Sequence, residues 1–174
     1  MPPAVRILSA AGGGPRLEGV GRAVAGALGL PVRVEKVRLD LPGAFDRSRQ
    51  QYHSTALLAQ VLELGGPEGE KRVAVVDVDL YIPVLTYVFG EAQLSGSAAI
   101  VSSFRLANPS YGLPRDDRLL DQRLVKEIVH ELGHTLGLYH CRQFECVMRS
   151  STYVEEIDFK RETFCASCRA QLGW

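Results

Sequence analysis

The chain has 174 residues, 46% of them hydrophobic, and its 20 Lys+Arg cancel its 20 Asp+Glu to a formal net charge of zero. That length suits one domain able to bury a core without disulfide support, and the charge balance argues against a general polyanion binder. No run of about 18 apolar residues is present to span a bilayer. The stretch from Met1 to Arg6 leads only into a short apolar segment before Gly12-Gly13-Gly14, so no export signal is expected. The expectation is a cytoplasmic protein with no nucleic-acid and no membrane partner.

In chain order, residues 4–8 read as a short buried strand. A glycine run follows, and Pro15 suits the first turn of a helix in which Leu17, Val20, Val24 and Leu28 recur at helical spacing to about residue 29. Residues 31–37 alternate and predict a second strand. A helix is expected over 48–64, with Leu57, Leu58, Val61 and Leu64 facing inward and Gly65-Gly66-Pro67 ending it. Residues 72–78 give the strongest strand signal, placing Asp77 and Asp79 opposite Val76 and Val78. Strands over 86–89 and 98–102 follow. Strand alternating with helix favours a largely parallel sheet with crossover helices, and the two late strands allow an antiparallel edge. Residues 109–114 are a loop, and a long helix starts near Asp117. His53 is expected to face solvent on a helix, and Trp174 to hold the tail by an apolar contact.

Composition hides one concentration. Of four histidines and four cysteines, three histidines and all four cysteines fall between residues 130 and 168. His130-Glu131-Leu132-Gly133-His134 puts two imidazoles one helical turn apart, the spacing at which both can bind one zinc. Leu120, Leu124, Ile128 and Leu132 form an apolar stripe that would fix this helix to a core. Glu131 projects beside the ligand face, where it can hold a water and take its proton. Gly137 sits where a helix commonly ends at positive φ, letting the chain return His140 to the metal. Three neutral imidazoles leave a fourth position open, the mark of a catalytic zinc site.

The cysteines form a second set. Cys141 and Cys146, then Cys165 and Cys168 after 18 intervening residues, are two close pairs that a loop can join. Four thiolates at tetrahedral geometry make a closed, structural zinc site that folds a tail poor in apolar residues. Two disulfides or free buried thiols are the other readings, and the lack of an export signal weighs against disulfides. Two zinc ions per chain are expected, one catalytic and one structural.

The pattern of His130-Glu131 through His140-Cys141, with Cys146-Val147-Met148 and Cys165-Ala166-Ser167-Cys168, resembles the archaemetzincins, a family of metzincin zinc peptidases. More loosely, Val78-Asp79-Leu80-Tyr81 and Tyr87-Val88-Phe89-Gly90 are similar to that family as well. The resemblance implies an α/β, metzincin-like fold with a twisted mixed sheet, an antiparallel edge strand and helices. It implies one catalytic domain, 1–174, divided into an upper subdomain, 1–137, and a small lower one, 138–174, holding the cysteine site. Substrate, a peptide or protein, would lie along the edge strand mapped to 86–91. Met148 would be the Met-turn residue, packed beneath the ligands. Tyr153 lies five residues past it and receives no role at the metal. The function implied is a zinc-dependent peptidase with Glu131 as general base, and aminopeptidase action is permitted. A metal-dependent RNA-processing hydrolase and a non-catalytic zinc-binding module are the alternatives. Glu131 argues against both, and the zero net charge against the first.

Overall fold

The computed structural model describes residues 3–10 and 17–174; the helix start expected at Pro15 lies outside them. The elements in chain order are β1 (Val5–Ser9), α1 (Leu17–Leu28), β2 (Val32–Lys36), β3 (Phe45–Asp46), β4 (Gln51–His53), α2 (Ser54–Glu63), β5 (Lys71–Val76), β6 (Leu80–Tyr81), β7 (Gly90–Ala92), β8 (Ala98–Ser102), α3 (Asp117–Thr135), α4 (Val154–Asp158) and α5 (Ala166–Leu172). The main sheet runs β2-β1-β5-β8-β7. Its first four strands are parallel, and β7 closes the edge antiparallel to β8.

The unbroken apolar runs of β5 and β8 follow from burial on both faces. Val73, Val75, Ala99 and Val101 point into a core shared with α1, α3 and the C-terminal tail. Ala74, Val76, Ala98 and Ile100 point into a second core under α2. The stripe read along α3 is real: Leu124, Ile128 and Leu132 are fully buried, and Leu120 packs at the margin. The tail has no core of its own. Leu138, Val147, Met148, Ile157 and Phe164 join the core under α3.

Five local expectations are corrected. The helix expected over 48–64 is only α2, beginning at Ser54. Before it the chain forms the β3–β4 hairpin, because Asp46 accepts hydrogen bonds from the Ser48 and Arg49 amides, an Asx turn that competes with helix. His53 therefore ends β4, half-buried, with its ring 5.3 Å from that of Tyr81. Leu64 is exposed.

The edge strand mapped to 86–91 starts four residues late, at Gly90. Upstream of it Val88 bridges to Leu80, so that stretch is tied to the small sheet β3-β4-β6 instead. Asp77 and Asp79 lie beyond the end of β5, and Asp79 pairs with Arg105. Trp174, only partly buried, sits with its ring 6.1 Å from Phe164.

Candidate active site and metal centres

Helix α3 opens on Asp116, whose carboxylate accepts the Leu119 amide at 2.9 Å, an N-cap of the usual kind. Nineteen residues later it ends where Gly137 takes φ +102°, a conformation that strains any residue with a Cβ. The turn carries His140 back over the helix. The rings of His130, His134 and His140 then lie with centroids 4.8 to 5.3 Å apart, and their ligand nitrogens are all within 4.8 Å of one another.

Backbone carbonyls set the orientation of the first two rings. His130 Nδ1 lies 2.8 Å from the Val147 carbonyl and His134 Nδ1 2.8 Å from the Leu138 carbonyl. A carbonyl can only accept, so each Nδ1 carries the proton and each Nε2 is left a bare lone pair. Burial holds all three imidazoles below their ordinary pKa, His130 most strongly, which keeps them neutral. Two bare Nε2 atoms then face each other 3.2 Å apart with no proton between them. Ligands on a tetrahedral zinc are about 3.3 Å apart, given Zn–N bonds of about 2.0 Å. The donor set fits that ion.

Glu131 is buried against the sheet edge. A Cβ at Gly90 would fall 2.8 Å from Glu131 Oε1 and 2.7 Å from the Ile100 carbonyl, so only glycine allows the helix to approach β7 this closely. Burial, then the neighbouring carboxylates of Glu127 and Glu91, push its pKa well above the ordinary range. Met148 is fully buried directly beneath Gly133, where an added methyl would collide with its sulfur. Its carbonyl accepts the Cys141 amide at 2.9 Å, tying the residue after the third histidine to this turn.

The four cysteines also converge. Cys141 and Cys165 have sulfurs 3.8 Å apart, as do Cys146 and Cys168, and all four lie within 4.8 Å of one another. A disulfide requires about 2.05 Å. Thiolates on a tetrahedral zinc, with Zn–S bonds of about 2.3 Å, are about 3.8 Å apart. Burial raises the pKa of Cys146 and Cys168, so these thiols ionise readily only beside a cation.

A cleft of about 480 Å³ opens from the histidines, between the segment 85–90 and the segment 150–153. Tyr87 spans it, donating its hydroxyl to the Thr152 carbonyl at 2.8 Å. Two buried charged residues that sequence reasoning passed over line it as well: Glu127, one turn before Glu131, and Lys160. Glu127 carries a faint signal, an acid interrupting the buried side of an amphipathic helix. Lys160 carries none.

Zinc metallopeptidases of the metzincin type are built around such a helix, and the comparisons with known proteins put this molecule in that class. The family model for peptidase family M54 matches residues 19–173. An archaemetzincin of Natronomonas pharaonis is 42% identical over 133 residues, covering 75% of this chain and 76% of the relative. Among solved structures, a zinc-dependent peptidase from Methanocorpusculum labreanum superposes with a TM-score of 0.87 at 30% identity, over 97% of this chain and all of that one. An archaemetzincin from Methanopyrus kandleri gives 0.86 at 34% identity, over 99% of this chain and 94% of that one. The chain belongs to peptidase family M54, the archaemetzincins.

Proposed function

We propose that the chain cleaves peptide bonds at a zinc held by His130, His134 and His140, with Glu131 as the general base. Supporting this above all is the pair of bare Nε2 lone pairs set 3.2 Å apart by backbone carbonyls. Bound there, zinc polarises the substrate carbonyl and lowers the pKa of water. Glu131 takes the proton from that water and passes it to the departing amine. An extended substrate lies along the free edge of β7, the antiparallel edge strand of the main sheet, where backbone groups can bond it.

The reading includes a second, structural zinc on Cys141, Cys146, Cys165 and Cys168, so two ions per chain. It takes the chain as one catalytic domain, 1–137 above the cleft and 138–174 below it, with Gly137 as the turn between them and Met148 as the support under the ligands. No helix among the described residues is long and apolar enough to cross a membrane, and a site of four thiols suits the reducing cytoplasm. Peptides or proteins are the substrates, and a preference for free N-termini makes the enzyme an aminopeptidase.

The test is Glu131→Ala. Zinc content should stay at the wild-type value, while kcat/KM falls about 100- to 10,000-fold. Equal cleavage by the variant and the wild type overturns the role of Glu131. Peptides blocked at the N-terminus, compared with free ones, separate aminopeptidase from internal cleavage.

A further inference from the structure

The cleft runs between two walls, residues 85–90 and residues 150–153, and one side chain crosses from the first to the second. Tyr87, half-buried, donates its hydroxyl to the Thr152 carbonyl at 2.8 Å. The chemistry above gives this contact no part.

Both ends of the crossing are anchored. The Arg105 guanidinium lies 4.6 Å from the centre of the Tyr87 ring, close enough for a cation–π contact, and Asp79 holds that guanidinium through both oxygens at 2.8 and 2.5 Å. The Phe89 ring meets Tyr87 edge-on, 5.5 Å away. The backbone behind them is tied down as well, the Val88 amide to the Leu80 carbonyl and the Phe89 carbonyl to the Ser102 amide. On the other wall, one carboxylate oxygen of Glu156 accepts the Thr152 and Tyr153 amides at 2.5 and 2.9 Å. The Tyr153 amide belongs to the same planar peptide group as the Thr152 carbonyl, so the acceptor is fixed along with the donor. One neutral hydrogen bond adds little net stability, but here a clamped ring and a clamped peptide group stand behind it.

The backbone also shows where the bar stands relative to the proposed base. Gly90 lies against Glu131, an added Cβ falling 2.8 Å from its Oε1, so the base is level with the first residue of β7. Tyr87 is three residues upstream of Gly90, a separation of at most about 11 Å. An extended peptide rises about 3.3 Å per residue, so no more than about three of its residues fit between the base and the bar.

We infer that Tyr87 is an end stop of the cleft, which confines cleavage to bonds within about three residues of one end of a peptide. The inference rests on the peptidase reading above and names the substrate class of that same site: short peptides and chain ends, not the interior of long chains.

The experiment is a set of peptides of graded length digested by the zinc-loaded protein, with fragments identified by mass spectrometry. Each cut should release a fragment of no more than about three residues, always from the same end of the peptide, because the bar crosses one end of the cleft. Bonds farther from that end should be cut at least about tenfold more slowly, since a substrate held off its position by the bar reacts poorly. Tyr87→Ala removes the ring and should lower this ratio of near-end to interior cutting by about tenfold or more. Tyr87→Phe keeps the ring but loses the bond to Thr152, and should lower it less, by about two- to tenfold. The ratio is read within each protein, so a general loss of activity cancels. A tyrosine that only packs the wall would lower all cleavage alike and leave the ratio unchanged in both variants, which overturns the inference. So does a wild-type digest that cuts interior bonds as fast as near-end ones, or that releases short fragments from both ends. Should Tyr87→Ala fail to fold, the wild-type digest and Tyr87→Phe decide. A second readout needs no turnover: zinc-loaded Glu131→Ala should bind a short peptide at least about tenfold more tightly than the same sequence embedded in the middle of a long one, and equal affinity overturns the stop. A wild-type protein that cuts no peptide overturns the peptidase reading itself, and the inference with it.

Discussion

The histidine and cysteine sets are adjacent in sequence, yet they are assembled by opposite means. His130 and His134 stand on a helix whose inner face is locked into the main core, and carbonyls from Val147 and Leu138 fix their rings. Their geometry does not wait for an ion. The cysteines lie on short turns and at the start of the seven-residue α5, in a segment whose large apolar groups Phe144 and Phe159 face solvent. That segment is held by the few apolar groups it sends into the main core, Val147, Met148, Ile157 and Phe164 among them, and by the convergence of its four sulfurs, where the binding free energy of the proposed zinc would become folding free energy. On the function proposed above, the two sites divide the work: the open one does chemistry, and the closed one holds the lower wall of the cleft.

The sharpest way to break that division is Cys146→Ser. Cys146 is buried beside Val147, whose carbonyl orients His130, so the loss should spread from one site to the other. The expected result is one zinc fewer per chain and a stability loss above about 4 kcal/mol, as for other structural-metal losses, read by chemical denaturation. Cleavage should disappear with it. If the variant retains full activity and stability, the cysteine set is not what holds the lower wall.

Next in size is Gly133→Ala, which tests the contact between the halves directly. The added methyl would meet the Met148 sulfur and lie 3.1 Å from Phe164 Cε1, both fully or nearly buried. Overpacking of this kind costs about 1–3 kcal/mol. Met148→Leu, close in volume, should cost less than about 1.5 kcal/mol and keep both ions, because the sulfur is not a ligand. Denaturation midpoints and zinc content check the pair. A larger loss from Met148→Leu than from Gly133→Ala would mean that the sulfur, not the tight fit, matters there.

The contrast also explains what could be read from sequence. The convergence of His130 and His134, with Glu131 beside them and a turn at Gly137, shows in the chain because spacing on a helix dictates it. Strands β5 and β8 show because both of their faces are buried. Residues 48–53 mislead because one Asx turn at Asp46 outweighs a helical pattern. The edge strand begins at Gly90 because the preceding stretch bonds Leu80 instead. The groups that orient the histidines are main-chain carbonyls, which any residue supplies, so no side chain betrays them. Lys160 is silent for a similar reason. Its ion-pair partner, Glu127, lies on α3, and nothing local to residue 160 marks a buried charge.

The smallest effect is a pH dependence that belongs to the histidine set alone. In the metal-free protein, burial lowers the pKa of His130, His134 and His140 below the ordinary 6.5. Above pH 6.5 the rings are neutral in both folded and unfolded chains and contribute no slope. As pH falls below 6.5, the unfolded chain takes up protons that the folded site refuses, so stability must fall. The loss continues until the folded rings themselves protonate at their depressed values. Zinc should keep this slope near pH 6 and carry it to lower pH, because the ion bars protons from the folded rings while the unfolded chain still takes them up. Denaturation midpoints measured from pH 7 to 5, with and without a chelator, read it out. The chelated protein should be less stable at every pH but show no steeper a slope than the zinc-loaded one, and replacing the exposed His140 by alanine should soften the slope less than replacing the buried His130. A chelated protein whose stability does not change across this range would mean that the rings are not held neutral before the ion arrives, and the preformed half of the comparison would go with it.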